Sequence, residues 1–365
     1  MQKKKLRVGI LTAGGDCPGL NAVIRAVAKK LIIEQDAEII GIKDGYDGVI
    51  RNRYKNLSYS DVSGILTLGG TILGTSNIAN PYRHAVKENG KVVFKDISKE
   101  VIQNIKHLDL NCLVCIGGDG TLAIGYKLFR DGIPVIGVPK TIDNDLLGTD
   151  VTFGFDTAVR IATNAIDILH STAQAHHRIM IIEVMGRTAG WIALYSGIAG
   201  GGDIILLPEI PYDIEGIVAR VKGRSKRGDK FSIIVISEGA KPKGGDVVVR
   251  KMVESSTIQA RLGGVGSVLG EQLEDITGIE TRTVVLGHLQ RGGTPSAMDR
   301  ILATELGTKA VELITEREFG YMVGVKGRAL VKVHLEEVAK GSKLVPLKHR
   351  LIESARAVGT SFGDD

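Results

Sequence analysis

Two short strings carry side chains able to do chemistry together. Pro139-Lys140-Thr141-Ile142-Asp143-Asn144-Asp145 sets two carboxylates two positions apart, beside a lysine and a hydroxyl. A carboxylate so placed can take the proton of an attacking alcohol, while its neighbours manage metal and charge. Gly117-Gly118-Asp119-Gly120-Thr121 joins an apolar run to an amphipathic stretch. Its glycines offer unhindered backbone N–H groups to phosphate at a helix N-terminus. Its aspartate suits Mg²⁺, a hard ion that takes oxygen ligands. Each string also has a plainer reading. The first is an Asp/Asn-rich turn, and the second is a helix start capped by Asp119 or Thr121.

Positive groups are spread over the second half: Arg178, Arg187, Arg282, His288 and Arg291. Arg291 stands in His288-Leu289-Gln290-Arg291-Gly292-Gly293, at a strand-end turn where a guanidinium fork can grip a sugar phosphate. His176 and His177 read as surface or helix-end residues.

Alternating elements must carry these strings. Apolar runs at Leu6–Leu11, Ala37–Ile42, Leu110–Ile116, Ile133–Val138, Ile179–Met185, Ile204–Leu207, Ser232–Ser237 and Val284–Leu286 read as strands. Leu20, Val23, Ile24, Val27 and Leu31 have helical spacing, and helices are expected at about Thr121–Arg130 and Asp156–His170. Strands alternating with helices build βαβ units on parallel sheets, which bind ligands beyond the strands' carboxyl ends. The Gly-rich and charged strings all fall at such ends.

Composition limits the rest. A chain of 365 residues predicts two domains. Its 47 glycines, about twice the ordinary share, fall often in pairs beside Asp or Thr rather than in a fibrous period. Three cysteines make no disulfide framework and fit a reducing cytoplasm. Cys112 and Cys115 are an odd distance apart on an expected strand, so they point to opposite faces as core residues. The basic N-terminus has too short an apolar run for a signal peptide. The uncharged stretch Thr188–Gly202 is too short to span a bilayer. A net charge of +6 could serve nucleic acid, though with only 4% aromatic residues for stacking, and it serves a small polyanion equally well; composition alone does not choose between them.

Taken together and in order, TAGGDCPGLNAVIR, GGTILGT, IGGDGT, PKTIDND, HRIMIIEVMGR, ISEG and ETRTVVLGHLQRGGTPSAMDR resemble the 6-phosphofructokinases over about residues 6 to 315. The GGDGT string alone would also fit NAD kinases or lipid kinases, which do not account for PKTIDND or HLQRGG. The resemblance implies an α/β fold of two Rossmann-like αβα sandwich domains with mostly parallel sheets. A phosphoryl-donor domain is expected over 1–153 plus about 290–335, and a fructose 6-phosphate domain over 154–289 plus about 336–365. It further implies that Asp143 is the general base for the sugar 1-hydroxyl, with Thr141 and Ile142 beside the substrate. Asp119 would organise Mg²⁺, and Asp145 is similar to a second acidic residue near the metal. Gly15, Gly118, Asp119, Gly120 and Thr121 match the donor loops. Met185, Gly186, Arg187, Glu238, His288, Leu289, Gln290 and Arg291 match the sugar-phosphate pocket. Arg178 and Arg282 resemble arginines that reach the sugar phosphate from a neighbouring subunit, so a homodimer or homotetramer with shared sites is expected. No nucleic-acid or membrane partner is expected, and the setting is cytoplasmic.

Donor choice reads two ways in this resemblance. Gly120 leaves room for a nucleotide where an aspartate would go with pyrophosphate, whereas Lys140 resembles the pyrophosphate-using branch. An aspartate can exclude ATP and a lysine cannot, so ATP is favoured and pyrophosphate is the alternative. Asn77-Ile78 departs from the family's adenine-side Arg-Phe, with Arg83 as a possible substitute. In the effector region Tyr59, Asp229 and Phe231 replace cations while Arg25 and Arg227 remain, which predicts weak or absent regulation by ADP or phosphoenolpyruvate. Residues 341–365 carry no recognisable role.

Overall fold

The structure, a computed structural model, describes residues 5–88, 90–252 and 260–364. Its strands are β1 (Arg7–Thr12), β2 (Glu38–Ile42), β3 (Tyr54–Leu57), β4 (His84–Glu88) and β5 (Lys91–Lys95). Next come β6 (Cys112–Gly117), β7 (Val135–Pro139), β8 (Ile179–Val184), β9 (Ile204–Leu206) and β10 (Ser232–Ser237). The last are β11 (Val249–Met252), β12 (Ala260–Leu262), β13 (Thr281–Val285), β14 (Tyr321–Lys326) and β15 (Ala329–His334). The helices are α1 (Leu20–Gln35), α2 (Tyr46–Ile50), α3 (Ser98–His107), α4 (Asp119–Arg130), α5 (Phe155–His176) and α6 (Trp191–Ala199). They continue with α7 (Ile214–Lys226), α8 (Val265–Thr277), α9 (Ala297–Thr315), α10 (Leu335–Val338) and α11 (Arg350–Ala357).

Seven strands form one sheet in the order β15-β14-β7-β6-β1-β2-β3, and four form another in the order β13-β8-β10-β9. In the first, β14, β7, β6, β1 and β2 run parallel, with β3 and β15 antiparallel at the edges. The second is parallel throughout. Parallel strands are covered on both faces, which is why β6 and β8 are buried at every position. Cys112 lies in one hydrophobic cluster and Cys115 in another, as their opposite-face placement requires. In α1, Leu20, Val23, Ile24, Val27 and Leu31 are fully buried, as their spacing predicts.

Two boundaries differ from the sequence reading. β13 begins at Thr281 rather than Val284, because it is an edge strand whose polar residues stay partly exposed. α5 runs on to His176, because Ala173 is still buried and only the left-handed His177 closes the helix. His176 and His177 are exposed there, as read. The last residues are structural: Val345, Ile352, Ala355 and Phe362 join the main core, and Ser361 bridges Ile204 of β9. Among the described residues, no helix is long and apolar enough to cross a membrane.

Candidate active site

Three loops meet at the carboxyl ends of β1, β6 and β7. After β6 the extended Gly118 leads into α4, whose first residue is Asp119. A Cβ at Gly120 would meet nothing within 4 Å, so the donor side of this helix start is open. Beneath it the Tyr46 hydroxyl donates to Thr121 O at 2.8 Å and holds the turn. Lys140, just past β7, donates its N–H to Gly117 O at 3.0 Å, and its buried ammonium donates to Gly15 O. One side chain thus ties the loops that follow β1 and β7. Burial lowers the Lys140 pKa.

The chain then folds into the turn that carries both carboxylates. Thr141, Ile142, Asp143 and Asp145 are all buried, with Asp143 only 4% exposed. The Thr141 hydroxyl oxygen accepts the Asp143 N–H at 3.0 Å. Asp143 Oδ1 is buried with no hydrogen-bond partner. Burial raises the Asp143 pKa, and Arg291, Arg187 and Lys140 oppose the rise. Asp145 is pushed up to about 7, chiefly by burial and then by the charges of Asp143 and Asp119.

The second sheet closes the cleft from the other side. After β8, Gly186 takes φ 138° and Arg187 takes φ 51°, left-handed values that turn the chain sharply. Arg187 pays for that conformation in strain, a cost typical of functional loops. Its N–H donates to Glu238 Oε1 at 3.1 Å, and its guanidinium Nη1 lies 3.8 Å from Asp119 Oδ2. Gly239 leaves no room for a side chain, since a Cβ would lie 1.8 Å from Arg187 O. Burial pushes Glu238 up to about 7.

From the 3₁₀ turn Gly287–Arg291, the Arg291 guanidinium donates to Asp16 O at 3.0 Å and packs against Gly15. Gln290 is fully buried; its Oε1 accepts the Met185 N–H at 3.4 Å. His288 and Leu289 are exposed on the same turn. The structure therefore gathers Gly15, Gly118–Thr121, Lys140–Asp145, Met185–Arg187, Glu238 and Arg291 around one cleft.

Arg178 and Arg282 are not brought there within the chain. They stand at the amino ends of β8 and β13, about 20 Å (Arg178) and about 10 Å (Arg282) from the strands' carboxyl ends at ~3.3 Å per residue. Arg178 pairs with Glu280 at 2.5 Å, and Arg282 pairs with the same carboxylate. Elsewhere, Ile78 is 50% exposed, and the Arg83 guanidinium lies 4.0 Å from the Phe94 ring of the β4–β5 hairpin. In the effector region, Lys29 sits over the Tyr59 ring and Phe231 packs edge-on to His170. Arg227 there lines a cavity with Arg220 and Arg224, the last paired to Asp203 at 2.7 Å.

Several positioning groups escaped the sequence reading. Asp299 accepts N–H bonds from Gly154 and Thr157, each at 2.8 Å, and so caps α5. Glu183 does the same for Gly264 and Gly266 at the start of α8. Glu209 accepts from Gly190 at 3.0 Å and Val345 at 2.8 Å. For Glu183 the sequence signal is a carboxylate within an apolar run, Ile181-Ile182-Glu183-Val184; nothing comparable marks Asp299. No group of three His, Cys, Asp or Glu residues poised to hold a metal occurs among the described residues. A cation here would need substrate oxygens to complete its shell, as Mg²⁺ commonly does.

A family model described as Phosphofructokinase matches residues 7–314. A protein of Clostridium perfringens named ATP-dependent 6-phosphofructokinase 2 is 54% identical over 360 residues, covering 98% of each chain. One of Amycolatopsis methanolica, named pyrophosphate–fructose 6-phosphate 1-phosphotransferase, is 49% identical over 341 residues, covering 93% of this chain and 96% of its own. A solved phosphofructokinase of Saccharomyces cerevisiae superposes with a TM-score of 0.77 at 27% identity, covering 99% of this chain and 47% of that one.

Proposed function

The chain belongs to the phosphofructokinase family, and from that premise we propose how its cleft works. The enzyme phosphorylates D-fructose 6-phosphate at the 1-hydroxyl with ATP, giving fructose 1,6-bisphosphate and ADP. Asp143 accepts the hydroxyl proton. The observation that carries this assignment is its unpartnered buried oxygen, Oδ1, an acceptor held among Arg291, Arg187 and Lys140. Those cations favour the carboxylate form that a base needs, against the burial that favours the acid.

Arg187 offsets charge on the moving phosphoryl, which its approach to Asp119 at 3.8 Å supports. Backbone N–H groups of Gly118–Thr121, at the start of α4, hold the donor phosphates together with the Gly15 loop. Asp119 would hold Mg²⁺ jointly with donor oxygens, and the bound ion would supply charge neutralisation on the phosphates. Met185, Gly186, Glu238, His288, Leu289, Gln290 and Arg291 form the sugar-phosphate side. Arg178 and Arg282 complete a neighbouring subunit's site in a homodimer or homotetramer, which fits their place at the amino ends of β8 and β13, away from this chain's own cleft.

The pyrophosphate alternative has one feature in its favour, Lys140 beside the donor loop, with a relative at 49% identity that bears that name. The open space at Gly120 favours ATP. Changing Asp143→Ser tests the base assignment: kcat should fall by about 10²- to 10⁴-fold with little change in KM for fructose 6-phosphate. Near-normal turnover would sink it.

A further inference from the structure

The segment 342–345 runs between the two sides of the cleft, and Lys343 engages every polar group it has in doing so. Its ammonium donates to Thr149 O and Asp150 O, each at 2.9 Å, and to Asn144 Oδ1 at 3.3 Å. Three acceptors thus meet its three N–H bonds. Its backbone N–H donates to Asp145 O at 2.7 Å, and Ser342 bridges Leu146 in antiparallel fashion. Its carbonyl accepts the Trp191 indole N–H at 2.8 Å. Val345 N–H donates to Glu209 Oε1 at 2.8 Å, and that carboxylate also accepts the Gly190 N–H.

Asn144 is what this arrangement fixes. It holds φ 52°, a left-handed value that costs a non-glycine residue and persists only where its surroundings impose it. Its Oδ1 accepts from Lys343 and from Thr152 N–H at 3.1 Å. Asn144 lies between Asp143 and Asp145, so its backbone sets the direction of both carboxylates. On the opposite side, the segment accepts the Trp191 indole N–H directly and shares the Glu209 carboxylate with Gly190, and both residues lie just beyond Arg187 in the chain. One short segment therefore holds both the loop bearing Asp143 and the loop bearing Arg187.

We propose that Lys343 is a positioning residue for phosphoryl transfer, holding the Asn144 turn so that Asp143 faces Arg187 across the cleft. The inference rests on Asp143 being the base. Because Lys343 spends its donors on protein carbonyls, its loss should fall on turnover rather than on sugar affinity.

The test compares Lys343→Met, Lys343→Arg and Lys340→Met in the full-length enzyme, with fructose 6-phosphate and MgATP as substrates. Lys340 is exposed and controls for loss of one positive charge. Lys343→Met should lower kcat by about 10- to 100-fold, as small misplacements of reacting groups do, with KM for fructose 6-phosphate within about twofold. Lys343→Arg should recover most of the loss, and Lys340→Met should match the parent. Should Lys343→Met not fold, Trp191→Phe removes the indole donor and should lower kcat several-fold at unchanged KM. Parental kcat in Lys343→Met or Trp191→Phe overturns the proposal, as does a loss that falls on KM or that arginine does not mend. An inactive parent, or an active Asp143→Ser variant, would instead sink the assignment of the base.

Discussion

Glu238 and Asp145 are pushed up to about 7 mainly by burial, so the folded chain keeps protons that the unfolded chain gives up above the ordinary carboxylate range. The native state then binds more protons than the unfolded state between roughly pH 4.5 and 7, and stability falls as pH rises through that window. Above about 7 the penalty is full. Replacing Glu238 by glutamine keeps an acceptor for the Arg187 N–H and removes the charge. Glu238→Gln should therefore raise Tm by about 2–5 °C at pH 8 and by less than half as much at pH 5. Calorimetry of the ligand-free protein at both pH values checks this; an equal gain at both would contradict it. Asp143 moves in the same direction, so the acid limb of kcat should lie above the range of an exposed aspartate.

Under the proposed function, the start of α4 is the element that decides between donors. Because a Cβ at Gly120 meets no atom within 4 Å, the backbone there has room for a side chain to begin. In the proposed donor site, an aspartate would nonetheless put a negative charge where nucleotide phosphate would sit. Gly120→Asp should leave Tm nearly unchanged and raise KM for ATP at least about tenfold, since like charges in a confined site repel strongly. Steady-state kinetics with ATP and with pyrophosphate would show it, and an unchanged KM for ATP would refute the argument. Elements of this kind were legible in the sequence because parallel strands covered on both faces appear as unbroken apolar runs. β13, with Arg282 and Thr283 among its valines, was read three residues short because an edge strand need not be apolar throughout. The helix caps at Asp299 and Glu183 were not legible, since each joins backbone N–H groups far away in the chain. Lys343 was hidden for the same reason: nothing in Gly341-Ser342-Lys343 indicates a partner near residue 144.

For the whole molecule, the arrangement of Arg178 and Arg282 matters most. Both sit on Glu280 at the end of the second sheet opposite the cleft. If they serve a neighbouring subunit, damage to Asp143 and damage to Arg282 should complement each other. Asp143→Ser and Arg282→Ala proteins, each nearly inactive, should regain activity when dissociated and reassembled together, because an Arg282→Ala subunit keeps its base and borrows an arginine. A mixture no more active than its components would refute shared sites.

All three cysteines are shut away: Cys17 between Pro18 and Phe153, Cys112 and Cys115 on either face of β6. Burial raises the pKa of each, and Cys115 reaches about 12. A thiol so hidden is almost never the reactive thiolate. Chemical labelling by a disulfide reagent should thus wait for the core to open, which turns the reagent into a stopwatch. Its slow rate, followed with and without hexose monophosphate and nucleotide, would time how often the protein comes apart and how far its substrates delay that event.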